Sequence, residues 1–186
     1  MQSKFFSNLF RLRWIKRWGL NRNTFEENVM EHSWEVATIA YTLALIKNEH
    51  FDGKLDVNAI TVGALFHDVT EVITGDLPTP IKYHSPDIQH AYKHIEELAA
   101  VELCNDLDAS LRPIFLKIIN QTNLSDENKE IIKTADKISA FIKTQKEIEA
   151  GNKDYESVSQ MLLAKIKDTQ MPEVDFFLDH YILMNF

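Results

Sequence analysis

The stretch Leu65-Phe66-His67-Asp68-Val69-Thr70-Glu71 places an imidazole and two carboxylates inside an otherwise apolar helical pattern. Ile60, Ala64, His67 and Glu71 fall at i, i+4, i+7 and i+11, so the polar groups continue a stripe that should face a core. An unpaired carboxylate on such a stripe costs on the order of several kcal/mol or takes up a proton. The remainder of the chain must therefore bring a cation, a proton or a metal ion to this stretch.

Helical periodicity recurs along nearly the whole chain and alternating β patterns are essentially missing, which predicts an all-α fold. The first helix is expected over 4–17, capped by Ser3, with Phe5, Phe6, Leu9, Phe10 and Leu12 as its apolar face, Arg13 and Arg17 sharing another face and Trp14 packed in the core. Trp18, where this helix gives way to a turn, is open to either a core or a site role. A second helix over 31–47 turns Val36, Ile39, Ala40, Leu43 and Ile46 inward, and His32 begins that stripe. Asp56 caps a third helix over 57–74 that carries the opening stretch and stops at Gly75. Two prolines then make Asp76-Leu77-Pro78-Thr79-Pro80 a stiff, extended loop.

Further helices are expected from Ser85-Pro86 to Asp106, with Ile88, Tyr92, Ile95, Leu98, Ala99 and Leu103 inward, and over 109–121, 126–150, 155–168 and 173–184. His90 and His94 lie four apart without an HExxH arrangement and read as a solvated pair. In the 126–150 helix, capped by Ser125, Asp136 lies at the edge of the stripe formed by Ile131, Ile132, Ala135 and Ile138. Such a carboxylate needs a lysine or a metal as its partner.

Length and composition agree with one domain over 1–186: there are only five Gly and five Pro, and no low-complexity segment or repeat. The single Cys104 cannot form an internal disulfide, and no run approaches a membrane span or a secretory signal, so a cytoplasmic address and no membrane partner are expected. The net charge of -8 conceals an asymmetry, for residues 1–23 hold six basic side chains and no acid. An acidic body with one basic end disfavours a nucleic acid polymer. It fits a small anionic ligand, or pairing of the basic end with the body.

His32, His67, Asp68 and Asp136 thus form a set of candidate metal ligands on three expected helices, each on or beside an inward face. Imidazole with carboxylate suits one divalent transition ion, Co, Mn, Ni, Fe or Zn, rather than Ca or a thiolate site. The order H…HD…D resembles the HD-domain phosphohydrolase superfamily. Read together, Arg17-Trp18, Glu31-His32-Ser33, His67-Asp68-Val69-Thr70-Glu71, Gly75-Asp76-Leu77-Pro78-Thr79-Pro80 and Thr134-Ala135-Asp136-Lys137 resemble the bacterial 5'-deoxynucleotidases of that superfamily.

The resemblance implies a single-domain HD-type helical bundle and hydrolysis of deoxyribonucleoside 5'-monophosphates. His32, His67, Asp68 and Asp136 would ligate the metal, Arg17 would hold the phosphate and Trp18 would shape the sugar site against a 2'-hydroxyl. Glu71 would orient the attacking water, Asp76 would assist at the scissile ester, and Ser33 and Thr79 would contact substrate. Other readings are an HD enzyme acting on a nucleoside triphosphate, cyclic nucleotide or alarmone, and a non-catalytic metal-stabilised module that binds nucleotides. The apolar C-terminal segment from Phe176 to Phe186, with the family's tendency to associate, suggests a homodimer.

Overall fold

The computed structural model describes residues 3–82 and 84–184, so Phe186 lies outside the described residues. They form ten α-helices and, outside them, one isolated antiparallel bridge between Lys16 and Asn28. No described helix is long and apolar enough to cross a membrane. The chain divides into two compact units, one of Met1–Arg22, Glu26–Ser33 and Phe66–Asn123, the other of Asn23–Phe25, Trp34–Leu65 and Leu124–Phe186.

The first unit opens with α1 (Phe5–Leu9), whose Phe5 N–H is accepted by the Ser3 hydroxyl at 3.3 Å. The expected helix over 4–17 is not continuous: it tightens into a 3-10 turn at Phe10–Trp14 and becomes extended at Ile15. Phe5 and Leu12 are buried, but Phe6, Phe10 and Trp14 face solvent, and Arg13 and Arg17 share no helical face. The reason is a competing set of backbone bonds. Val29 N–H donates to Ile15 C=O and Arg17 N–H to Glu27 C=O, both at 3.0 Å, which pulls 15–17 out of the helix and against 27–29.

Helix α2 (Val29–His50) starts two residues earlier than its periodicity suggests, because Asn28 and Glu31 cap it reciprocally. The Asn28 side chain accepts from Glu31 N–H at 3.0 Å, and the Glu31 carboxylate accepts from Asn28 N–H at 3.4 Å. The remaining helices of this unit are α4 (Glu71–Thr74), α5 (Thr79–Lys82), α6 (Pro86–Cys104) and α7 (Arg112–Ile119). Ser85 caps α6 by accepting from Ile88 N–H. Tyr92, Ala99 and Leu103 of α6 are buried as expected, whereas Ile95 and Leu98 are exposed. The core of the unit gathers Phe5, Val29, Val69, Val72, Ala100, Leu103 and the free Cys104.

The second unit carries the rest of α2, then α3 (Val57–Leu65), α8 (Asp126–Glu149), α9 (Glu156–Lys167) and α10 (Pro172–Phe177), which runs into a π-helical turn at Leu178–Ile182. Asp56 caps α3 through Ala59 N–H, and Ser125 caps α8 through Asn128 N–H. Every expected inward residue of α2, from Val36 to Ile46, is buried, and Ile60, Ile131, Ile138, Ile166 and Leu178 complete the core. Full burial of each such side chain is worth about 1.5–3 kcal/mol.

Candidate active site

The expected helix over 57–74 breaks where the polar residues begin. After Leu65 the chain turns through Phe66–Thr70 and re-enters a helix only at α4, with Val69 N–H bonding Phe66 C=O and Glu71 N–H bonding Asp68 C=O. His67 and Asp68 therefore sit on a turn. The 100° offset of helical neighbours does not apply, and both side chains reach the same point.

That point lies beside the first turn of α2. His67 Nε2 is 3.1 Å and His32 Nε2 is 3.6 Å from Asp68 Oδ2, and the two imidazole rings stand 5.3 Å apart, centre to centre. One donor atom from each of the three residues lies within 4.8 Å of the others, which is a group able to hold a metal ion. Two imidazole nitrogens around one carboxylate oxygen form a borderline donor set that fits a divalent transition ion. Asp136, the fourth expected ligand, lies half-buried on α8 in the other unit.

Arg17 reaches the same carboxylate, with Nη1 3.4 Å from Asp68 Oδ2, and its Nε lies 3.5 Å from Glu27 Oε1. Burial opposes the charge on Asp68. His67, His32 and Arg17 outweigh it and hold the carboxyl well below the usual carboxylate range. Glu71, buried on the first turn of α4, is driven the other way: desolvation first, then the charges of Asp68 and Asp76, push it up to about 10, against the pull of Arg17 and Lys82. Its Oε2 has no hydrogen-bond partner among the described residues. Asp76 is likewise raised, by burial and by the charge of Asp68 against the opposing Arg17.

Of the two remaining expected contacts, Ser33 is buried with its hydroxyl lacking a hydrogen-bond partner among the described residues. Thr79 is exposed and opens α5, so the loop expected from Asp76 to Pro80 is helical from Thr79 onward. Trp14 is solvent-exposed, but Trp18 is half-buried and donates its indole N–H to Glu27 Oε2 at 2.6 Å. The expected solvated pair, His90 and His94, is exposed.

Two residues with a part in this cluster are not singled out by any sequence pattern above. Glu27 touches Trp18, Arg17 and, through Oε1, His32 Nδ1 at 3.3 Å. A signal existed, since residues 1–23 contain no acid and Glu26-Glu27 are the first carboxylates after them. They pair in step, Lys16 with Glu26 and Arg17 with Glu27, so the basic end is partly neutralised by the acids that follow it. Lys82 is the other. It pairs with Glu96 at 3.1 Å, sits over the Tyr92 ring, and its charge acts on Glu71 and Asp76.

An all-helical scaffold that presents two histidines and an aspartate to one point is the arrangement of the HD-type fold. The structure superposes on an HD-domain phosphohydrolase from Listeria innocua with a TM-score of 0.84, at 24% identity, covering 96% of this chain and 86% of that one. It also superposes on a cyanophage S-2L HD phosphohydrolase, described as bound to dA and one catalytic Zn2+ ion, with a TM-score of 0.70 at 21% identity, covering 95% of each chain. The family model described as 5'-deoxynucleotidase YfbR-like matches residues 4–184, and the chain belongs to that family. Proteins named 5'-deoxynucleotidase from Yersinia pestis and Yersinia pseudotuberculosis are 43% identical to it over 180 residues, 97% of this chain and 91% of theirs.

Proposed function

We propose that this protein is a metal-dependent 5'-deoxynucleotidase that hydrolyses deoxyribonucleoside 5'-monophosphates to deoxynucleoside and phosphate. The observation that carries the reading is the convergence of His32, His67 and Asp68 with Arg17 at one carboxylate oxygen, in a chain 43% identical to proteins named for that activity. Asp136 is assigned as the fourth ligand on the H…HD…D order. A divalent transition ion held there would lower the pKa of an attacking water, polarise the phosphoryl group and offset the negative charge that, added to burial, keeps Glu71 protonated.

The side chains divide the remaining work. Arg17 is held between two carboxylates, Glu27 and Asp68, so its guanidinium is oriented before a phosphate arrives. Once the charge around it is balanced, Glu71 takes the water proton at Oε2. Asp76, whose raised affinity for a proton comes mainly from burial, returns one to the departing 5'-oxygen. Trp18 occupies the volume that a 2'-hydroxyl would need. Ser33 and Thr79 belong to the substrate contacts of this reading, and the active form is a cytoplasmic homodimer.

Phosphate release from dAMP and AMP with added Co or Mn is the direct test. Turnover that prefers dAMP, is abolished by a chelator and is lost in Asp68→Ala and Asp136→Ala is the expected result. Release that persists in either variant after chelation, or equal rates on dAMP, AMP and dATP, would sink it. A sedimentation run showing only monomer at micromolar concentration removes the dimer.

A further inference from the structure

Glu27 turns its two carboxylate oxygens toward groups that serve different parts of the site, one in a hydrogen bond and the other in charge contacts. Oε2 accepts the Trp18 indole N–H at 2.6 Å; Oε1 faces His32 Nδ1 at 3.3 Å and Arg17 Nε at 3.5 Å. The carboxylate is buried, and its own backbone C=O accepts Arg17 N–H at 3.0 Å, so the residue grips the Arg17-Trp18 pair by main chain and side chain together.

Each contact selects one arrangement. An ionised carboxylate offers only acceptor oxygens, so its charge 3.3 Å from His32 Nδ1 favours the tautomer that carries the proton on that nitrogen. That leaves Nε2 as the lone-pair nitrogen, on the side where Asp68 Oδ2 and the His67 ring lie. An indole only donates, so Trp18 Nε1 is suited to the same acceptor.

Trp18 also has φ +60°, a backbone conformation that costs a bulky L residue about 1 kcal/mol or more. Strain of this kind persists where the surroundings over-determine it, and here the Arg17 N–H bond and the indole bond fix the residue from both ends.

We propose that Glu27 is a positioning residue that couples sugar discrimination to metal ligation, holding the Trp18 ring in place through Oε2 and the ligating tautomer of His32 through Oε1. The proposal rests on the reading of Trp18 as the residue that excludes a 2'-hydroxyl. Discrimination then depends on the Trp18–Glu27 hydrogen bond as well as on the bulk of the ring. The same carboxylate sets how well His32 binds the ion.

Four variants, Glu27→Gln, Trp18→Phe, Trp18→Ala and the double Glu27→Gln/Trp18→Phe, separate these roles when two quantities are measured on each. One is the Mn(II) dissociation constant by calorimetry on chelator-treated protein; the other is the ratio of kcat/KM for dAMP over AMP. Glu27→Gln keeps the shape but replaces one acceptor by a donor, so Mn(II) binding should weaken about tenfold or more and the ratio should fall. Trp18→Phe keeps a ring and loses the N–H, so the ratio should fall while the Mn(II) constant stays within about twofold of wild type, since no ligand is touched. The double variant should discriminate no worse than the poorer single one, because both remove the same contact.

A wild-type Mn(II) constant in Glu27→Gln overturns the proposal. A preference lost in Trp18→Ala but kept in both Trp18→Phe and Glu27→Gln overturns the part of Glu27 in discrimination, whereas a preference that survives Trp18→Ala removes the sugar-site reading itself. Should Glu27→Gln fail to fold, as judged by its circular dichroism melt, Trp18→Phe still decides the first coupling.

Discussion

Asp68 and Glu71 stand three residues apart and titrate in opposite directions. Burial penalises the charge on both, yet His67, His32 and Arg17 hold Asp68 below the usual carboxylate range, while Asp68 and Asp76 add to the burial that lifts Glu71 to about 10. One carboxylate is thereby kept as an anion, and its charge adds to the burial that keeps the next one protonated.

Replacing Asp68 by Asn removes the oxygen anion on which His32, His67 and Arg17 converge. Metal-dependent phosphate release should fall by more than about 100-fold, beyond the usual loss for a residue that merely orients a ligand. The circular dichroism spectrum should stay helical, since no core residue is touched. A variant that keeps a tenth of wild-type activity under saturating Mn would show that Asp68 is not a ligand.

Glu71 makes the metal-free protein sensitive to alkali. Its folded-state pKa is raised to about 10 from an ordinary 4.5, so between those values the native state holds a proton that the unfolded chain has released. Stability is therefore fully expressed below about pH 4.5 and declines as pH rises toward about 10. Thermal melts of chelator-treated protein should fall across this window, and Glu71→Gln should flatten the decline. An equally steep slope in the Gln variant would assign it to another group.

Gly75, which links α4 to Asp76, has φ +71° and ψ +166°, a region essentially reserved for glycine. No atom lies within 4 Å of where a Cβ would be, so any penalty in Gly75→Ala is conformational. The expected cost is about 1–3 kcal/mol, with a loss of activity as Asp76 shifts. An unchanged melting temperature together with unchanged kcat would contradict it.

In the second unit, buried Glu147 accepts from the Thr24 and Phe25 backbone N–H groups at 2.9–3.1 Å, from the Asn152 amide at 2.9 Å and from the buried Lys143 ammonium. Burial raises its proton affinity, but these donors prevail and hold the carboxyl at about 2. The sign is opposite to that of Glu71: the stabilisation is present above about pH 4.5 and disappears as pH falls through about 2. Glu147→Ala leaves the Lys143 charge buried and should cost about 3–5 kcal/mol in a urea melt at neutral pH. Glu147→Ala/Lys143→Met should recover part of that loss; if it is no more stable than the single variant, an orphaned charge is not the cause.

The helical class, the inward faces of α2 and α8 and the caps at Asp56 and Ser125 were legible in the residues because they are local chemistry: a 3.6-residue period and a side-chain oxygen within reach of the next turn. His32, His67, Asp68 and Glu71 were legible for a related reason, since polar groups on an apolar stripe are an anomaly that needs no coordinates to notice. The exposed Ile95 and Leu98 mark the limit of such reasoning, because periodicity names a face without saying what covers it.

The break at Phe66, the unwinding at Ile15 and the place of Glu27 were decided by contacts between distant parts of the chain. Local pattern continues as helix through both breaks, yet bonds from Arg17 to Glu27 and from Val29 to Ile15, with the convergence of His67 and Asp68 on His32, outweigh the few helical bonds forgone. The first carboxylates after the basic end, Glu26-Glu27, mark a partner for its charges, but not that the Glu27 side chain will meet an indole and an imidazole as well as a guanidinium. A residue's tendency to be helical is worth only a few tenths of a kcal/mol up to about 1 kcal/mol, so the pairing of 15–17 with 27–29 could settle what residue type left undetermined.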